Sequence, residues 1–244
     1  MSDNYQFTYY FKYIKYKIKY NRYLQYLEFK KNNQEYLLHQ IGGTYDNKQI
    51  FAEKLNVDYD KLIITEVGKY SITKKYDGEK LLNIMNSILK LTDKTITDLT
   101  GCVGGDTILF GLNFRKVYSI EYDKDNYNAL QNNVKVFELN NVELFFGDAI
   151  KIYNWYTDVL YFDPPWGGKD YLHKKKLDLY LGTIRIDIFI QNVLKRDNRP
   201  KYIFIKLPRN YNFTRLYNIK KKFKIKIIKY KIRGYNIIFI TYIL

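Results

Sequence analysis

From residue 81 onward the apolar positions follow two alternating rhythms. Leu81, Ile84, Met85, Ile88 and Leu89 recur at helical spacing and predict an amphipathic helix, preceded by a turn at Asp77-Gly78. A short apolar run over 95–99 follows, then a glycine-rich turn, then a helical pattern near 106–112. The alternation continues with predicted strands over 116–121, 142–146, 159–162 and 202–206 and a polar helix over 126–137. Strands alternating with helices predict an α/β protein with a doubly wound, parallel, Rossmann-like sheet. The end breaks the rhythm. Residues 223–231, Gly234 and 235–242 read as an antiparallel hairpin.

Residues 1–75 have a different texture and are read as a basic, Tyr/Lys-rich, mostly helical extension, with the main domain over 76–244. Tyr13, Tyr16, Tyr20, Leu24 and Leu27 recur at roughly helical spacing, and Gly42-Gly43 interrupts the pattern. Such a helix either packs its Tyr/Leu stripe on the main domain or forms part of an RNA-binding surface.

Composition narrows the class. The formal net charge of +16 favours polyanionic partners, nucleic acid first and anionic membrane second. Abundant Lys, Asn, Ile and Tyr are also what an AT-rich gene dictates, so part of that charge is compositional. A single cysteine, Cys102, excludes an internal disulfide and a cysteine-based zinc site. His39 and His173 show no metal-ligand pattern, and no metal is expected. The apolar run 237–244 is too short to span a bilayer. A soluble, intracellular, monomeric protein without a membrane partner is the expectation.

The sharpest chemical signal lies between Asp158 and Tyr171. An apolar strand ends in Asp163-Pro164-Pro165-Trp166, and strand C-termini are where open α/β sheets bind ligands. The prolines remove two backbone donors and leave carbonyl acceptors. With the Asp163 side chain they suit an exocyclic amine, and Trp166 offers a face on which a base stacks. This is the chemistry of amino-methylation of a nucleobase. Upstream, Gly101, Gly104 and Gly105 follow the first core strand, where a tight turn lets backbone approach a ligand. Asp98 and Glu121 end the first two strands, and Asp148 follows the third. The glycines lack the G-x-G-x-x-G spacing that a dinucleotide diphosphate needs, which disfavours a dehydrogenase.

Asp163-Pro-Pro-Trp-Gly-Gly-Lys-Asp-Tyr171 resembles the catalytic segment of trimethylguanosine synthases, which methylate N2 of 7-methylguanosine RNA caps. Glu66 to Thr73 is similar to that family's E-G-W-F-S-V-T segment, and Asp98 to Thr107 to its D-x-F-C-G-V-G-G-N-T loop. Leu207-Pro-Arg-Asn210 matches its LPRN motif, so the likeness covers roughly residues 60–244. The resemblance implies a class I methyltransferase fold with S-adenosylmethionine as cofactor and 7-methylguanosine-capped RNA as partner. It implies Asp163, Pro164 and Trp166 as catalytic residues. Thr73, Asp98, Gly101, Gly104, Glu121 and Asp148 would bind cofactor, with the three acids toward methionine amino group, ribose and adenine respectively. Trp166, Tyr171, Lys169 and Arg209 would bind substrate.

The chain departs from the family in places. Asp163 stands where Ser is common, and Lys69 falls at the position of a Trp. A basic residue expected near the last strand falls on Asn236, with Lys229, Lys231 and Arg233 as candidate substitutes. The DPPW motif also occurs in N6-adenine methyltransferases, which keeps open an amino-methyltransferase acting on DNA or RNA. The remaining alternative is a catalytically silent RNA-binding subunit on the same fold.

Overall fold

The computed structural model describes residues 47–232 and 234–243. The predicted N-terminal helix, the Gly42-Gly43 break and Arg233 lie outside the described residues. Two one-turn helices, α1 (Asn47–Ile50) and α2 (Gly68–Ser71), precede α3 (Lys75–Asn86). The sheet then begins with β1 (Thr95–Asp98), α4 (Gly105–Gly111), β2 (Lys116–Glu121), α5 (Lys124–Val136) and β3 (Val142–Phe146). After α6 (Ala149–Ile152) and β4 (Val159–Phe162) comes a long crossover. It holds a 3-10 turn at Gly168–His173, a small hairpin of β5 (Tyr180–Leu181) and β6 (Ile184–Arg185), and α7 (Ile186–Leu194). The chain closes with β7 (Tyr202–Pro208), α8 (Phe213–Lys220), β8 (Ile225–Lys231) and β9 (Tyr235–Tyr242).

Seven strands form one sheet in the order β3-β2-β1-β4-β7-β9-β8. The first five are parallel, and β9 runs antiparallel between β7 and β8. The doubly wound sheet with a terminal antiparallel hairpin is therefore present. Every residue of β4 is buried, as expected of a strand covered on both faces. One apolar layer packs Leu160 and Phe162 against Phe189, Ile190 and Leu216 from α7 and α8. The opposite layer packs Val159 and Tyr161 against Leu81, Met85 and Phe110 from α3 and α4.

Two features differ from the sequence expectation. Helix α3 runs through Asp77-Gly78, where a turn was predicted. Gly78 is buried, and a Cβ there would meet Leu109 Cδ2 at 3.0 Å, so the residue serves close approach of α3 to α4. Residues 47–73, grouped by sequence with the extension, pack into the same compact unit as the sheet. Phe51, Tyr59, Leu62 and Ile72 join Val103, Ile108, Leu130 and Phe137 in a third apolar cluster. Buried Asn133 of α5 fastens this segment, accepting from Ile63 N at 2.8 Å and donating to the carbonyls of Ile63 and Val103.

Candidate active site

The glycine-rich loop between β1 and α4 is organised from below by Asp98. Its side chain is fully buried and accepts from Thr100 N at 3.0 Å and from Thr107 Oγ1 at 2.7 Å. Burial pushes this carboxyl up to about 7, and neighbouring Asp106 adds to the rise. Gly104, at φ 102°, caps α4 in a conformation that disfavours a side chain. At Gly101 and Gly105 the constraint is protein packing. A Cβ on Gly101 would lie 2.5 Å from Ser119 Oγ, and one on Gly105 would lie 2.8 Å from the Thr73 carbonyl. Glu121, at the end of β2, accepts from Cys102 N and Asp123 N, each at 2.7 Å. Asp148 caps α6 by accepting from Ile150 N at 3.0 Å. Burial and Glu121 push the Cys102 thiol up to about 12, which disfavours the thiolate.

The Asp163–Trp166 segment adjoins this loop. Asp163 N donates to Thr100 Oγ1 at 2.8 Å, tying the end of β4 to the end of β1. Asp163 Oδ2 accepts from Lys206 Nζ at 2.8 Å. The same ammonium donates to Thr73 Oγ1 at 2.7 Å, and Thr73 donates in turn to Asp106 Oδ2 at 2.7 Å. Tyr161 OH donates to that same Asp106 oxygen at 2.8 Å. Burial pushes the Asp163 carboxyl up to about 6, while the Lys206 ammonium opposes the rise. Lys206 is itself held above the ordinary lysine range, because Asp163, Asp106 and Asp77 together outweigh its burial. Asp163 has one cation beside it, whereas Lys206 has several anions, so the two groups move in the same direction.

Asp163 Oδ1, Asp106 Oδ1 and Trp166 Nε1 are buried without a partner at hydrogen-bonding geometry among the described residues, although the Trp166 indole N–H lies near enough to the Asp163 carboxylate to favour its ionised form. Unpartnered buried polar atoms are rare in folded proteins and are completed by a water, an ion or a ligand. A cleft of about 260 Å³ opens here, bordered by Thr73, Lys74, Asp77, Trp166, Tyr171 and Tyr235, with Lys206 in its wall. A larger hollow of about 480 Å³ is lined by residues 86–92 alone and receives no strand end.

Trp166 meets Tyr171 edge to face, with centroids 5.2 Å apart. Gly167 and Gly168, at φ 93° and 68°, turn the chain sharply after it. A Cβ at either would meet nothing within 4 Å, so backbone conformation alone demands glycine there. Asn210 of the LPRN segment donates to the carbonyls of Tyr171 and Lys174 at 2.6 and 2.7 Å. That clamp sets exposed Arg209 beside the exposed run Lys174–Lys176, which sequence reasoning did not single out. The backbone of Lys169 lies in the 3-10 turn, and its side chain is outside the described residues. Trp155 packs against Phe145 and Tyr153 and donates to Thr97 Oγ1, a core role.

A family model described as RNA cap guanine-N2 methyltransferase matches residues 93–244, which carry the glycine loop, the DPPW turn and the LPRN segment. The chain belongs to that family. It is 24% identical over 204 residues to the trimethylguanosine synthase of Saccharomyces cerevisiae, covering 78% of this chain and 62% of the yeast one. It is 31% identical over 134 residues to the uncharacterized protein L320 of Acanthamoeba polyphaga mimivirus, covering 53% and 52%. The chain thus spans between half and two thirds of the length of these relatives. Among solved structures it is similar to the 16S rRNA N2 methyltransferase of T. thermophilus in complex with AdoMet and guanosine. That match has a TM-score of 0.54 at 17% identity and covers 68% of this chain and 43% of the other. It is also similar to a Streptococcus mutans protein in complex with SAH, with a TM-score of 0.50 at 14% identity, covering 68% and 98%. These two neighbours share the Rossmann-like methyltransferase fold.

Membership in a methyltransferase family, on a fold whose solved neighbours hold AdoMet or SAH, agrees with S-adenosylmethionine as the cofactor. The residues present fit it: Asp98 and Glu121 end β1 and β2, Asp148 follows β3, and Asp106 Oδ1 is a buried acceptor without a partner among the described residues. No group of His, Cys, Asp and Glu among the described residues is arranged to hold a metal ion. No helix among them is long and apolar enough to cross a membrane.

Two site residues escaped sequence reasoning. Asp106 was read only as part of the loop, and Lys206 only as part of a strand. The available signal for Lys206 was a lone lysine inside the apolar run Ile203–Leu207, since lysine is almost never fully buried unless paired.

Proposed function

We propose that this protein methylates the N2 amine of a 7-methylguanosine RNA cap, using S-adenosylmethionine. The observation that carries the reading is Asp163 at the end of β4. One of its oxygens is bonded to Lys206, the other is buried and unpartnered, and Trp166 stands beside it on the cleft. When bound, the cofactor supplies an electrophilic methyl group on a sulfonium. The protein's part is to present the amine. Asp163 Oδ1 and the Pro164 carbonyl accept its hydrogens and leave the nitrogen lone pair directed away from them. The carboxylate also stabilises positive charge that develops on nitrogen as it bonds the methyl carbon and the bond from that carbon to sulfur breaks, charge that is relieved when the amine proton leaves. Thr73, Asp98, Gly101, Gly104, Glu121 and Asp148 bind the cofactor in this reading.

A 7-methylated guanine is a cation. Trp166 offers it a π face, an attraction of about 0.5–2 kcal/mol depending on desolvation. Arg209, Lys169 and the Lys174–Lys176 run supply donors for the bridging phosphates, and Tyr171 borders the base. The basic segment before residue 40 adds sequence-independent RNA affinity.

The test is mass analysis of cap analogues after incubation with enzyme and cofactor. Methylation of the 7-methylguanosine analogue and not of its unmethylated form is expected. Methyl transfer to an adenine-containing oligomer instead would assign the site to N6-adenine chemistry.

A further inference from the structure

Lys206 stands apart from every motif of the chain. It projects from β7 into the wall of the cleft, only 7% exposed, and its ammonium reaches elements far apart in sequence. Nζ lies 2.8 Å from Asp163 Oδ2 and 2.7 Å from Thr73 Oγ1, and 5.8 and 5.3 Å from the ring centroids of Trp166 and Tyr235. An interior lysine costs much in lost hydration, and the structure recovers that cost only through these contacts.

We propose that Lys206 is a positioning residue for methyl transfer: its ammonium pins Oδ2 of Asp163, so that Oδ1 meets the acceptor amine as an ionised hydrogen-bond acceptor. This rests on the reading of the site given above. A carboxyl group held by one oxygen has its plane fixed, and the second oxygen is the one left buried and unpartnered. A protonated carboxyl in the same place can donate from that oxygen, which is the wrong polarity for holding an amine hydrogen.

The surroundings make the ammonium necessary. Facing Asp163 are Cys102 from the glycine loop, Asp106 from α4, Tyr161 from its own strand, Tyr235 from β9 and the indole N–H of Trp166, which with Lys206 favours the carboxylate. Asp77 of α3 faces Lys206. Lys74 also lines the cleft, but the cation bonded to Asp163 is Lys206. Burial and Asp106 both favour the protonated carboxyl, and the ammonium opposes them. Removing the ammonium therefore raises the pH at which Asp163 ionises and moves the acid limb of the rate profile upward.

The experiment pairs a titration that needs no substrate with a rate profile. The Asp163 carboxyl carbon is followed by 13C NMR across pH, its signal identified by Asp163→Asn, in wild type, Lys206→Met and Lys206→Arg. Methyl transfer to a 7-methylguanosine cap analogue is measured across the same range. Lys206→Met should raise the Asp163 midpoint by about one pH unit or more, as expected when an adjacent opposite charge is lost. The acid limb of kcat should move with it, with KM for the cofactor unchanged. Lys206→Arg should restore the wild-type midpoint and most of kcat. Lys206→Gln, which keeps a donor and lacks the charge, should behave as Met does and serves if the Met variant does not fold. An Asp163 midpoint unmoved by loss of the charge overturns the proposal, as does a moved midpoint with an unmoved rate profile. If the midpoint moves but wild type itself leaves the cap analogue unmethylated, the cap reading fails and the Lys206–Asp163 coupling stands.

Discussion

Gly105→Ala tests whether the glycine loop is shaped by the protein or by its ligand. The added Cβ would sit 2.6 Å from Ile72 Cγ1 and 2.8 Å from the Thr73 carbonyl oxygen. To reach ordinary van der Waals contact, the carbonyl must retreat by about 0.6 Å, and a backbone atom cannot rotate away as a side-chain end does. Thr73 is also the joint between Lys206 and Asp106, so the retreat disturbs both 2.7 Å hydrogen bonds of its hydroxyl. Overpacking of this kind costs about 1–3 kcal/mol, and replacing Gly by Ala in a helix returns up to about 1 kcal/mol. A net loss of about 1–2 kcal/mol lowers Tm by about 2–8 °C in a domain of this size. The assay is thermal unfolding of wild type, Gly105→Ala and Gly78→Ala without cofactor. In Gly78→Ala the nearest atom is the movable Cδ2 of Leu109 at 3.0 Å, so a smaller change is expected. A Gly105→Ala Tm equal to or above wild type, with only cofactor affinity reduced, would show that glycine is there for the ligand's approach and refute the packing argument.

Other consequences can be checked separately. Trp166→Ala should weaken acceptor binding roughly two- to thirtyfold, the equivalent of about 0.5–2 kcal/mol of cation–π attraction, with cofactor affinity by calorimetry nearly unchanged; activity near wild type would remove Trp166 from the site. Asn210→Ala deletes both donors that hold the turn at Tyr171 and Lys174, about 1–2 kcal/mol in net hydrogen bonding. Amide exchange in residues 168–174 should accelerate, and unchanged exchange would show that the turn holds itself. Asp98 ionises in the folded protein near pH 7, above its ordinary range, so the folded state takes up a proton there that the unfolded chain does not. Its contribution therefore improves as pH falls from about 7 toward 4, and Asp98→Asn should look relatively more stable at pH 8 than at pH 5 in denaturant unfolding. The opposite ordering would mean that Asp98 is buried as a carboxylate compensated by its two hydrogen bonds.

What the chain determined by itself is largely what local pattern can encode. Alternating apolar runs and helical spacings located the seven strands of the main sheet and α3, α4 and α5, because burial on a strand or a helix face leaves a period in the residues themselves. The DPPW turn was legible for the same reason: its prolines, aromatic and paired glycines are all needed within a few residues, and Gly167 and Gly168 adopt the left-handed backbone such a turn requires. Local pattern was ambiguous at Gly78, where a glycine that permits close helix packing looks the same as one that permits a turn. It left α7 and α8 unassigned.

The joining of distant segments was decided only by the tertiary structure. Asp163 and Lys206 are separated by 43 residues, and nothing local in either segment says that the two side chains meet. They meet because β4 and β7 are neighbours in register, Phe162 opposite Ile205, which sets the following pair side by side at the rim of the sheet. Strand order follows from which faces the helices cover across the whole domain, a property of no single segment. Thr73 and Asp106 join the same cluster because Gly105 lets the segment before α3 lie against α4. Sequence alone supplied the residue types for this chemistry, and the packing of the sheet made them one site.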